Sequence, residues 1–184
     1  MNRRVAGVVA VVVSLVVVGV VRSAIPPYLP TQSHVSPDEQ SVVDLEVGAI
    51  QLLEVRAATR LQGDGSFPDG LGTDATFVTA RVRITPHGGT LRVVSDIQSA
   101  DGRSYEALDV AGLPSPAVVY VGQRVTQTLI FEVPADRLAG AHLVIRGAGD
   151  DGVQAIQPVA WFPVEVDVES GSLTIDETIV EPAA

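Results

Sequence analysis

Carboxylates gathered in glycine-rich loops are the first candidates for chemistry in this sequence. Asp64, Asp69 and Asp74 fall in LQGDGSFPDGLGTDAT, residues 61–76, and Asp150 and Asp151 in GAGDDG. Such loops hold calcium when oxygen ligands alternate and a glutamate closes the ring. The stretch from Asp64 to Asp69 has neither feature, and aspartate beside glycine is ordinary turn chemistry. His34, His87 and His142 are scattered, and no pair has metal-ligand spacing on one element. Ser66, Ser95, Ser104 and Ser172 stand outside any G-x-S-x-G elbow. The chain has no cysteine, which removes thiolate metal sites, disulfides and cysteine nucleophiles. The GLGTD run lacks the lysine and following helix of a phosphate loop. Paired carboxylates are plentiful, but none has a glycosidase-specific setting. The chain is therefore expected not to be an enzyme, with no catalytic, cofactor-binding or metal residue assigned and no small-molecule substrate identified.

Charge narrows the partners. Twelve basic residues, all arginine, stand against 22 acidic ones, for a net charge of −10. Nucleic acid is excluded as a partner, because phosphate neutralisation needs a basic face. Arg81 and Arg83 are expected on the outer face of one strand. Glu165, Asp167 and Glu169 form an acidic stripe on another. If these strands are neighbours the stripes form cross-strand ion pairs. Otherwise the acidic stripe protects an edge or forms a docking face.

The elements that would position these residues read as strands. Leu45 to Ala57 is rich in branched side chains and suits a first strand, bent at Gly48. FVTARVRI, residues 77–84, alternates, with Val78, Ala80, Val82 and Ile84 inward. Thr85 to Gly89 turns the chain, Leu91 to Ile97 resumes a strand, and Asp101-Gly102 is a hairpin signal. A short strand is expected at Ala117 to Val121. QRVTQTLIFEV, residues 123–133, points Val125, Leu129, Phe131 and Val133 inward, with Gln127 interrupting. Pro134 to Gly140 is a turn with one helical turn in it. His142 to Arg146 and Ile156 to Val168, which holds the single Trp161, complete the set, and Ser170-Gly171 suits a last hairpin. Closely spaced strands punctuated by turns predict an all-β, antiparallel β-sandwich.

One segment is different. Val5 to Val21 is a 17-residue run without charge, 11 of its residues valine, preceded by Arg3 and Arg4 and followed by Arg22. As a helix it covers about 26 Å at 1.5 Å per residue, and Ser23 to Ile25 extend it toward the bilayer thickness. It exceeds the usual apolar stretch of a cleaved signal and lacks a good cleavage site. The expected layout is a cytoplasmic stub at 1–4, one transmembrane signal anchor at 5–25, a proline-rich stalk at 26–44, the sandwich at 45–168 and an acidic segment at 169–184. The positive-inside rule keeps Arg3 and Arg4 in the cytoplasm. The rest of the chain then lies outside, where nine arginines face all 22 acidic residues, a balance of −13. The alternative is a secreted binding protein or antigen released by cleavage near Ser23.

FVTARVRI, SADGRSYEAL and VGQRVTQTLIFEVPADRLAGAHLVI occur in that order between residues 45 and 168. In this the chain resembles a bacterial family of immunoglobulin-like extracellular domains, typified by secreted mycobacterial antigens and by anchored domains of unknown function. The resemblance implies an immunoglobulin-like sandwich and supplies no catalytic residues. Together with the anchor, it leads to the expectation of a membrane-anchored binding or accessory module of the cell envelope. Its partners would be the membrane, through residues 5–25, and an envelope protein.

Overall fold

The computed structural model describes residues 33–62, 70–108, 118–148 and 158–183. The anchor at 5–25 lies outside them, as do Asp64, Ser66, Asp69, Asp150 and Asp151. Among the described residues no helix is long and apolar enough to cross a membrane.

Among the described residues twelve strands follow one another: β1 (Ser33–Val35), β2 (Val42–Leu45), β3 (Gly48–Gln62), β4 (Leu71–Pro86), β5 (Leu91–Gln98), β6 (Ser104–Glu106), β7 (Val118–Val119), β8 (Gln123–Val133), β9 (His142–Ala148), β10 (Pro158–Pro163), β11 (Val168–Thr174) and β12 (Ile179–Pro182). A turn of 3-10 helix at Ala135–Arg137 joins β8 to β9, where the sequence predicts a helical turn. Sheet I has the order β1-β10-β9-β5-β6, with β7 also on β5. Sheet II has the order β11-β3-β4-β8-β12, with β2 also on β3.

The two sheets form a β-sandwich. Alternation puts Val78, Ala80, Val82 and Ile84 of β4 and Val125, Leu129, Phe131 and Val133 of β8 on the inner face of sheet II, all buried. Leu91, Val93 and Ile97 of β5, Leu143 and Ile145 of β9, and Ala160 and Phe162 of β10 meet them from sheet I. Among the described residues, aliphatic side chains fill most of this core, and two phenylalanines, Phe131 and Phe162, enter it.

Several boundaries differ from the sequence reading. Residues read as stalk include β1, which joins sheet I, and β2, which pairs with the start of β3. Pro37 falls between β1 and β2 and interrupts neither. The expected bend at Gly48 is a turn at Glu46-Val47 that separates β2 from β3. At Gly48 a Cβ would stand 2.8 Å from both Leu91 Cδ2 and the Thr85 carbonyl, so the close approach requires glycine. The sandwich is also not wholly antiparallel: β1 runs parallel to β10, and β11 parallel to β3. Both are edge strands separated from their parallel neighbours by many intervening strands, since parallel neighbours cannot be joined by a hairpin. Ser170-Gly171 is a bulge within β11, not the turn of a hairpin.

A second apolar cluster lies on the outer face of sheet II. Between Ala58 and Arg60 the register slips, setting residues 73–76 of β4 against Thr59 alone. Beyond this bulge Leu61 and Leu71 pack with Phe77 and Ile130, which point away from the main core. Leu173 and Ile175 join the same cluster, and Asp176 ion-pairs with Arg81. The chain between β11 and β12 is thereby strapped over this face, from the β3 edge to the β8 edge.

Candidate interaction face

On sheet I, residues that alternate away from the core build an open polar and aromatic face. Trp161 projects from β10, between β1 and β9. His34 of β1 stacks on the indole with ring centroids 4.4 Å apart and planes 24° from parallel. His142 of β9 approaches at 4.8 Å and 39°. Since β1 and β9 flank β10, the imidazoles hold the indole from both sides and fix its orientation.

Beside this stack lies a charged pair. Asp96 of β5 is buried and pairs with Arg146 of β9, and the Ser104 hydroxyl of β6 donates to the same carboxylate. A buried carboxylate is tolerated only when charge and hydrogen bonds compensate its lost hydration, and here both are supplied. Val94, opposite Arg146 in register, is 58% exposed. The face therefore carries a half-buried tryptophan, a half-buried arginine and an exposed valine within three adjacent strands.

On sheet II the outer face carries arginines, and the C-terminal segment neutralises two of them. Arg56 binds Glu169 through two parallel contacts of 3.0 and 3.1 Å. The Arg56 hydrogen bond holds the Glu169 carboxyl below the usual carboxylate range. Arg83 donates to Gln51 at 3.1 Å. The strands that carry Arg81 and Glu169 are not neighbours, so the condition for pairing Glu165, Asp167 and Glu169 with Arg81 and Arg83 is not met. Glu169 reaches Arg56 instead, because β3 lies between β11 and β4, and Arg81 is taken by Asp176. Glu165 and Asp167 lie in the exposed link between β10 and β11.

The remaining candidates are dispersed. Asp74 is exposed in β4, and His87 sits in a turn 3.5 Å from Asp44. Ser95 is buried in β5, and Ser172 of β11 donates to Gln62 at 3.4 Å. Asp101, in the β5–β6 turn, accepts from Ser99 at 2.5 Å and pairs with Arg137 and Arg103, which lowers its pKa, the Ser99 bond foremost. Among the described residues no three His, Asp or Glu side chains gather as a metal ion would require. The Trp161 stack and the Asp96–Arg146 pair escaped the sequence reading, since each joins strands distant in sequence. The only local signal was the tryptophan itself, in a segment whose sequence reads as a strand.

No family model matches the chain, and no curated protein matches it. Among solved structures it is similar to an uncharacterized β-sandwich protein from Clostridium difficile 630. The likeness covers 71% of this chain and 95% of that one, at 9% identity and a TM-score of 0.41.

Proposed function

We propose that this chain is a membrane-anchored, extracytoplasmic binding or accessory module of the cell envelope, without catalytic activity. The observation that carries the reading is the outer face of sheet I, where Trp161 is held between His34 and His142 beside Arg146 and Val94. Tryptophan and arginine dominate protein-binding hot spots, and preorganised aromatic side chains lose little entropy on docking. The apolar run at 5–25 with its flanking arginines supports the anchor, and a tether raises local concentration near membrane partners. The immunoglobulin-like reading has support from strand order. With β3, β4, β5, β8, β9 and β10 taken as strands A, B, C, E, F and G, sheet II contains A-B-E and sheet I contains G-F-C.

The test is co-purification of tagged full-length protein from its native membranes, compared with Trp161→Ala. The expected result is a stoichiometric partner that is lost with the variant while its circular dichroism is unchanged. A partner retained by Trp161→Ala sinks the assignment of this face. A chain found in the medium without residues 1–23 sinks the anchor.

A further inference from the structure

The end of the sandwich where the chain enters carries five of the eight large apolar side chains exposed among the described residues. Val118, Tyr120 and Val121 are 41%, 58% and 61% exposed on and after β7, and Ile179 and Val180 of β12 are 43% and 58% exposed. Gly122, at φ 79°, closes the tight turn from Tyr120 to Gln123, with the Gln123 amide donating to the Tyr120 carbonyl at 3.0 Å. The β12 strand is seated beside this turn: Pro182 pairs with Gln123, and the Ala183 amide donates to the Gly122 carbonyl at 2.8 Å.

Strand registers place this turn relative to the entry point. Ser33 is level with Pro158, Val159 with Arg146, Val93 with Gly147, and Arg92 with Val118. Ser33 and Val118 therefore lie at one end of sheet I, and the Tyr120 turn projects beyond them. Seven residues, 26–32, separate the apolar run from Ser33. Such a length reaches at most about 25 Å.

We propose that the turn at Tyr120–Gln123, with Val118, Ile179 and Val180, contacts the lipid headgroup region of the membrane that holds the anchor. This rests on the anchor reading above. Exposed aromatic and branched side chains at a turn tip suit the bilayer interface, where tyrosine is enriched. Asp44 and Glu46 share this end of the molecule, and Glu181 stands beside the patch, so a zwitterionic surface fits better than an anionic one. A second copy adding a strand at β12 fits poorly, because the strand has four residues and Pro182 offers no amide donor.

The absence of cysteine makes the test direct. Full-length Val121→Cys and Ala139→Cys are spin-labelled and reconstituted in phosphatidylcholine vesicles; Ala139 is exposed in the turn before β9, level with the opposite end of the strands. Relaxation by oxygen, which partitions into lipid, is compared with relaxation by a water-soluble nickel chelate. The oxygen-to-nickel ratio at Val121 is expected to exceed that at Ala139 by about threefold, and to fall when phosphatidylglycerol is added. Equal ratios in protein that resists alkaline carbonate extraction overturn the contact and leave the anchor standing. Extraction by carbonate overturns the anchor and the contact with it. Shielding from nickel without a gain in oxygen relaxation, together with doubled mass in detergent, overturns the contact in favour of self-association.

Discussion

Gln127 is the residue at which the core departs from apolar filling. It lies on the inner face of β8, opposite Val82, and is 1% exposed. Neither its Oε1 nor its Nε2 has a hydrogen-bond partner among the described residues. A buried amide without partners costs about 1–3 kcal/mol, whereas an apolar side chain of the same length costs nothing of the kind. Gln127→Met is therefore expected to raise stability by about 1–2 kcal/mol, read as a higher urea midpoint at unchanged slope. A lower midpoint would mean that the amide is satisfied and stabilises the sandwich. The Asp96–Arg146 pair has the opposite logic. Removing Asp96 leaves the half-buried Arg146 without its carboxylate, so Asp96→Ala is expected to destabilise by about 1–3 kcal/mol, read as a lower urea midpoint. The inward position of Gln127 was legible, since the alternation of β8 continues through it. The partner of Asp96 was not, because the pair forms only when β5 and β9 become neighbours.

At the scale of elements, legibility followed whether a strand has one buried face. Strands β4 and β8 are central and their sequences alternate over most of their length, so their inward residues could be read directly, although Phe77 and Ile130 are buried on the outer face as well. Edge strands carry little such signal: β12 is exposed throughout, and β11 buries only Leu173. Their proline, glycine and acidic content reads as a tail until their pairing partners are known. What ties β11 to β3, besides the backbone ladder, is the Arg56–Glu169 pair, and its pH dependence follows from the carboxyl. The pKa of Glu169 is lowered in the folded state by the Arg56 hydrogen bond, so its contribution is present above the unfolded value. It is lost as pH falls through the lower folded value. The denaturation midpoints of wild type and Glu169→Gln should differ at neutral pH and converge as pH drops below about 4.3, the ordinary glutamate value. Both side chains are more than one-third exposed, so the difference is small. A gap that persists well below that range would place the effect elsewhere.

For the whole molecule, the two outer faces are treated differently, and the C-terminal segment makes the difference. It lays β11 against β3 and β12 against β8, so neither flank of sheet II ends in one of its long strands. Between them it covers Phe77 and Ile130 with Leu173 and Ile175. Sheet I has no such strap among the described residues, and Trp161 remains partly accessible there. The division closes one face with apolar packing and leaves the other open. Burying Leu173 and Ile175 contributes about 1.5–3 kcal/mol each, so losing both removes about 3–6 kcal/mol. That is a large share of the roughly 5–15 kcal/mol that holds a domain folded. A chain ended after Asp167 should therefore melt lower, bind a hydrophobic dye and aggregate at concentrations where the full chain stays dispersed. Leu173→Asp separates the apolar patch from the strand pairing: it leaves the chain length intact but places a charge in the second cluster. It should reproduce most of the stability loss in a chain of full length. If the shortened chain and Leu173→Asp both unfold at the wild-type midpoint, the strap adds nothing to the sandwich and the asymmetry between the faces has another origin.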